Sequence, residues 1–199
     1  MSSSQPDDAK SVVLEIETAA EMGDPATDPV AYRRSLGQFA TGVTVITARA
    51  GEMRVGMTAN SFSSVSLDPP LVLWSIKQTS TSFNAFKAAT HFVVNVLSID
   101  QHHLSGHFGR SDADKFAGIG WSEGIDGAPL LHGVVATFEC EKIAEFEGGD
   151  HLIMLGKVLR FSRYDREALL FVQGKYAVAA EHPGLEAKVI EKTGSSKPS

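Results

Sequence analysis

Between Val43 and Val172 the apolar residues fall into short runs rich in β-branched side chains: VTVITA at 43–48, LVLWSI at 71–76, FVVNVL at 92–97 and LLFV at 169–172. Runs of this length suit strands, because branched side chains pack well on a pleated surface and lose rotamer freedom in a helix. The segments between them are too short, or too interrupted by Gly, Pro and Ser, to be the crossover helices that parallel strands require. Six or seven strands with a few short helices between them predict a mainly β chain. An antiparallel β-barrel with peripheral helices is favoured over a doubly wound sheet.

Taken in order, the chain begins with a Ser-, Asp- and Pro-rich stretch at 1–27 in which no periodic face is sustained, so a mobile tail is expected. Asp28-Pro29 then supplies an N-cap and a first helical residue, with Tyr32, Leu36 and Phe39 at helical spacing and Gly42 past the end. Val43 to Ala48 and Arg54 to Thr58 read as a hairpin about Ala50-Gly51-Glu52. A small-polar loop, Thr58 to Ser66, follows, and Asp68-Pro69-Pro70 excludes helix and ladder pairing alike before the strand Leu71 to Ile76. A helix over Phe83 to Ala89, a strand over His91 to Leu97 and a short helix from Ser98 to about His107 come next. The SDADKF segment around Lys115 and Phe116 looks loosely structured. Val134 to Lys142 alternates regularly, with Cys140 inward and Glu139 and Glu141 outward; His151 to Tyr164 is a long strand with a bend expected at Gly156. Leu169 to Val172 is the last strand, closing on Gln173-Gly174-Lys175-Tyr176. One domain over 28–180, with a flexible C-terminal tail at 181–199, is the organisation expected.

Composition narrows the function classes. A net charge of −6 and a pI near 5.6 argue against a phosphate-neutralising nucleic-acid binder. No apolar run approaches the roughly 18 residues of a membrane span, and the start MSSSQPDDAK has neither a basic region nor an apolar signal core. A single cysteine cannot form an intramolecular disulfide and fits a reducing compartment, so a cytoplasmic location is expected, with Cys140 a core thiol rather than a nucleophile.

Three segments could carry chemistry. The Thr58 to Ser66 loop has short side chains that let a ligand approach backbone N–H groups. The polar cluster Lys77 to Ser82 precedes a helix and reads as a phosphate site, or as no more than an N-cap at Ser80 or Thr81. Asp150-His151, after a Gly-Gly turn, presents a histidine able to donate to a ligand. His103 and His107 share a helical face but lack a third ligand and the zincin glutamate, so no metal site is assigned. The glycines at 118, 120 and 124 have the wrong spacing for a dinucleotide fingerprint, and neither a Walker loop nor a nucleophile elbow occurs. Alone, none of these features decides a function.

Together they do carry a resemblance. FATGVTVITA (39–48), GMTANSFSSVSLDPPLVLWSI (56–76), FVVNVLS (92–98), DKF (114–116), GGDHLIMLGKV (148–158) and GKY (174–176) occur in the order seen in the flavin reductase-like family, the reductase components of two-component flavin-dependent monooxygenases. The resemblance covers about Tyr32 to Tyr176. It implies a split β-barrel homodimer of the FMN-binding type that binds FMN or FAD, reduces it with NADH or NADPH, and releases it to a partner monooxygenase. By matching positions it implies that Thr58, Ala59, Asn60 and Ser61 line the isoalloxazine ring. Ser75, Lys77, Thr79 and Ser80, with Lys115, would lie near the ribityl and phosphate groups, and Phe116 beside the flavin. His151 would be the catalytic-site residue that contacts the nicotinamide, orienting rather than titrating, with Tyr176 nearby. Two other readings compete: another split-barrel flavoprotein, related to pyridoxamine-phosphate oxidase, and a non-catalytic flavin-binding module.

Overall fold

The computed structural model describes residues 19–111 and 114–182. Much of the tail expected at 1–27, the Asp112-Ala113 part of the SDADKF segment and nearly all of the C-terminal tail lie outside the described residues. The chain divides into two compact units, Met1–Leu36 and Gly37–Ser199. In the first, helix α1 (Pro29–Leu36) begins as its sequence dictates: Asp28 Oδ1 accepts the Ala31 N–H at 2.9 Å, an N-cap that satisfies one free donor of the first turn. The helix ends at Leu36, so Phe39, expected on its face, is not part of it.

The second unit is mainly β. Its largest sheet has seven antiparallel strands built from β2 (Thr44–Ala50), β3 (Met53–Ala59), β4 (Ser63–Leu67), β5 (Pro70–Lys77), β6 (His91–Val96), β9 (Ala136–Gly148) and β10 (His151–Arg163). They lie in the order β3-β2-β6-β9-β10-β5-β4. A three-stranded sheet joins β1 (Thr41–Gly42), β11 (Leu169–Val172) and β12 (Lys175–Val178), and β7 (Trp121–Glu123) pairs with β8 (Pro129–Leu131). Two short helices, α2 (Phe83–Ala88) and α3 (His102–Gly109), interrupt the strands. The strands missed by hydropathy are short or lie at edges. Of these, β4 matters most, because the Thr58 to Ser66 segment is not one loop: it turns at Asn60 to Phe62 and re-enters the sheet as an edge strand. Pro70 also pairs, opposite Leu67, but as the first residue of β5, where its missing N–H is tolerated.

The sheet packs on both faces. On one, Trp74 stands edge-on to Phe86 (4.9 Å) and Phe92 (5.8 Å) among Ile46, Ile76 and Met154. On the other, Val45, Leu97, Leu104, Phe108 and Val134 form a second cluster. Strand β3 serves both: Val55 and Ala59 face the first, and Gly56 backs onto the Phe108 ring of the second. Asn95, polar in an apolar run, is buried but satisfied; its amide donates to Val45 O (3.1 Å) and Thr47 Oγ1 (3.0 Å) and accepts from Leu131 N (2.8 Å).

Two expectations about β9 and β10 are sharpened. Cys140 is buried, as its alternation requires, and burial, with the neighbouring Glu139 charge, pushes its thiol up to about 12. Glu139 is not outward: it is buried, accepting from the Ile125 N–H (2.6 Å) and the Arg160 guanidinium (2.8 Å). Strict alternation failed there because the 124–128 turn packs over that face of β9 and supplies a donor. The bend expected at Gly156 exists as a slip of register with β9 between Leu155 and Gly156.

Candidate functional site

The end of β3 and the residues after it form the floor of the site. Thr58 Oγ1 donates to Ser105 O of α3 (2.7 Å), and the Ala59 carbonyl accepts from Thr44 Oγ1 (2.6 Å), so the strand end is held by short side chains from both sides. Two cavities open here. One, of about 230 Å³, is lined by Val43, Thr58, Ala59, Asn60, Ser105, Phe171 and Tyr176. The other, of about 440 Å³, is bounded by Thr41, Asn60, Ser61 and Phe62 among others. Asn60, exposed, is common to both. Among the described residues Thr41 Oγ1 is buried without a hydrogen-bond partner, an orphan that a polar atom of a ligand would satisfy.

A row of polar groups continues from Ser61. Its hydroxyl donates to Ser75 O (3.2 Å) and accepts from Ser75 N (3.0 Å), tying the segment after β3 to β5. Ser75 and Lys77 share one face of β5, two residues and therefore about 7 Å apart. Lys77 pairs in register with His151 of β10. The His151 Nδ1 lies 2.7 Å from Asp150 Oδ1, and Lys77 Nζ lies 3.9 Å from Asp150 Oδ2. The hydrogen bond from His151, aided by the charges of His151 and Lys77, holds the exposed Asp150 carboxyl below the usual carboxylate range. With Nδ1 turned to the carboxylate, Nε2 of the part-exposed ring is left for a ligand.

The phosphate-like segment is a turn closed by Ser80 N→Lys77 O (2.9 Å) and Phe83 N→Ser80 O (3.0 Å), with Thr79 exposed. Ser80 Oγ lies 3.7 Å from Met57 Sδ, which brings the turn against β3. The N-cap of α2 is Ser82, not Ser80 or Thr81.

Thus Thr58, Ala59, Asn60 and Tyr176 share one cavity, while Ser61, Ser75, Lys77 and His151 form a separate row beginning at that cavity's edge. Tyr176 stands with the first group, its ring 5.7 Å from Phe171, rather than with His151. Lys115 and Phe116 do not line either cavity. The Lys115 ammonium donates to Gly56 O (3.0 Å) and Phe108 O (3.1 Å), and Phe116 packs edge-on against Phe108 (5.4 Å) and Trp121 (6.0 Å). Sequence reasoning did not single out Thr41, Val43, Ser105 or Phe171. Thr41 and Val43 lay within a motif used for the resemblance, whereas Ser105 is a helix residue with no local signal.

Comparison with known proteins identifies relatives over most of the chain. The family model for the flavin reductase like domain matches residues 36–180. The chain is 47% identical over 145 residues to the FMN reductase (NADH) SmoA of Agrobacterium fabrum, covering 73% of this chain and 83% of SmoA. To the reductase subunit HsaB of a flavin-dependent monooxygenase from Rhodococcus jostii it is 43% identical over 152 residues, covering 76% and 78%. Among solved structures, the NADH:FAD oxidoreductase SgcE6 of Streptomyces globisporus, in complex with NAD and FAD fragments, superposes with a TM-score of 0.78 at 42% identity. That match covers 82% of this chain and 99% of SgcE6.

Proposed function

Because the chain belongs to the flavin reductase-like family, we propose that it is an NAD(P)H:flavin oxidoreductase that delivers reduced FMN or FAD to a flavin-dependent monooxygenase. The pair of cavities meeting at Asn60 carries this reading. Small-molecule sites of about 300–1,000 Å³ lined by apolar walls and a few polar groups are the norm, and 230 and 440 Å³ side by side offer room for two flat rings. The residues fit a flavin: short side chains at Thr58, Ala59, Asn60 and Ser61 leave backbone donors approachable, and Phe171 and Tyr176 make an apolar wall.

The two bound cofactors supply the hydride chemistry, so the protein's part is alignment and electrostatics. Backbone N–H groups at Asn60 and Ser61 serve the negative charge that develops on the ring. Lys77, with the hydroxyls of Ser75, Thr79 and Ser80, faces the ribityl and phosphate groups. His151, held by Asp150 through Nδ1, presents Nε2 to the carboxamide and so orients the nicotinamide.

The family fold is read as a split barrel, and the protein acts as a cytoplasmic homodimer. What supports dimerisation is the large apolar area left open on three strands, at Leu67 of β4 (94% exposed), Phe161 of β10 (74%) and Phe146 of β9. A second copy of the chain covers it. Sedimentation of the native protein should give twice the chain mass, and Phe161→Glu should shift it toward the single chain.

One assay separates the readings. Purified protein is mixed with NADH or NADPH and free FMN or FAD, and nicotinamide oxidation is followed. A rate that rises with free flavin is expected; no oxidation with either nicotinamide would return the choice to a tightly held FMN oxidase or a non-catalytic flavin carrier.

A further inference from the structure

Lys115 is charged and half-buried, and its ammonium meets two backbone carbonyls. Its ammonium spans a seam. On one side is Gly56 O of β3, an edge strand with half its backbone groups turned away from its neighbour; on the other is Phe108 O, in the last turn of α3. A lysine suits both, since a cation near a helix C-terminus is favourable and the carbonyls there lack intrahelical partners.

A second stitch runs parallel to the first. Thr58 Oγ1 donates to Ser105 O, two residues further along the strand and three residues back along the helix. Positions i, i+2 on a strand and i, i+3 on a helix share a face, so the two stitches lie along one line of contact. Gly56 makes that line close: a Cβ there would sit 2.7 Å from the Phe108 ring. Lys115 is itself held in place, with His107 Nε2 donating to its carbonyl (2.8 Å) and Asp114 Oδ1 accepting from Phe116 N (3.0 Å) and Ala117 N (3.2 Å). Both ends of the second stitch, Thr58 and Ser105, line the 230 Å³ cavity.

We infer that Lys115 is a positioning residue, an ammonium clamp that holds α3 against β3 and so sets the wall of the flavin cavity from behind, without touching the flavin phosphate. The inference rests on the flavin site proposed above. Removing the ammonium leaves two carbonyls without a charged donor and lets Ser105 draw away from Thr58.

The test is binding of three flavins that differ in tail: FMN, riboflavin without the phosphate, and lumiflavin without the ribityl chain. Lys115→Met, which keeps the apolar stem, should weaken all three by a common factor of roughly tenfold, the scale on which losing charged hydrogen bonds is felt. In turnover it should raise the KM for flavin while kcat at saturating flavin stays within twofold, because the residue shapes the wall and not the reacting atoms. Amide exchange in α3 should quicken, while that in β10 is unchanged. Thr58→Val, which breaks the neighbouring stitch with no change of charge, should reproduce the uniform loss. If Lys115→Met does not melt cooperatively, Lys115→Arg is read in the same way, since its planar head does not put one nitrogen between both carbonyls. A loss confined to FMN would make Lys115 a phosphate ligand and overturn the clamp, as would unchanged binding of all three or a fall in kcat alone. Wild-type protein that binds none of the three would instead remove the flavin reading itself.

Discussion

Gly156→Ala tests the first core at the point where its packing is tightest. A Cβ on Gly156 would lie 2.8 Å from Phe92 Cε1 and 3.0 Å from Cys140 Cβ, with Phe92 Cζ nearer still. None of these can give way easily: Phe92 is 2% exposed and braced edge-on by Trp74 at 5.8 Å, and Cys140 is fully buried. Overpacking costs about 1–3 kcal/mol; with three atoms at or inside 3.0 Å of the new Cβ the upper part, about 2–3 kcal/mol, applies, and replacing Gly in a strand returns up to about 1 kcal/mol. A net loss of about 1–2 kcal/mol remains. At about 2–4 °C per kcal/mol for a domain of this size, Tm should fall by roughly 2–8 °C in a thermal melt followed by circular dichroism. The same substitution in a Phe92→Leu background should cost at least about 1 kcal/mol less, because the clash partner is gone. An unchanged or raised Tm in the single variant, or an equal penalty in both backgrounds, would refute the account of why a glycine stands here.

Other expectations concern the site and the thiol. Asn60→Trp fills the junction of both cavities, so flavin affinity measured by fluorescence quenching should fall by tenfold or more while the melt moves by under 2 °C, since Asn60 is exposed. His151→Ala should raise the KM for the nicotinamide several-fold with a smaller change in kcat, and an unchanged KM would sink its orienting role. Because the His151 hydrogen bond lowers the Asp150 pKa, the Asp150 carboxylate stays ionised down to acidities that protonate an ordinary aspartate, and what it contributes is lost only as pH falls through the lowered value. Carbon-13 titration of Asp150 should reveal the depression, and His151→Ala should abolish most of it. Cys140, buried and with its thiol pushed up to about 12, should resist Ellman's reagent in native protein at pH 8 and react after unfolding; rapid native labelling would contradict its place in the core.

How much of this was legible beforehand depended on the range of the interaction concerned. The strands at 44–50, 91–96 and 151–163 were readable from β-branched composition, and the break in β10 from one glycine, because these depend on neighbours in sequence. β4 was missed since its SSVSL carries no apolar face of its own; the edge of β5 makes it a strand. Burial of Glu139 was missed for a similar reason. Alternation treats a strand face as solvent unless apolar side chains mark it, whereas here a turn 14 residues away lays an amide on the carboxylate.

The candidate site divides along the same line. The Thr58 to Ser66 segment could be singled out from composition because small side chains at a strand end act locally, by what they leave uncovered, whereas only the resemblance narrowed it to Thr58 to Ser61. Lys115 could not be placed the same way. A lysine beside a recognisable motif invites a phosphate, yet its ammonium is met by Gly56, 59 residues earlier, whose missing side chain lets a helix approach and leaves a carbonyl for it. Charge near a cavity therefore has two distinct uses: Lys77 stands at the surface, free to meet an anion beyond its weak 3.9 Å pairing with Asp150, whereas Lys115 spends two of its three donors on backbone. Binding data on FMN and lumiflavin should separate them, with substitution of Lys77 weakening FMN alone and substitution of Lys115 weakening both.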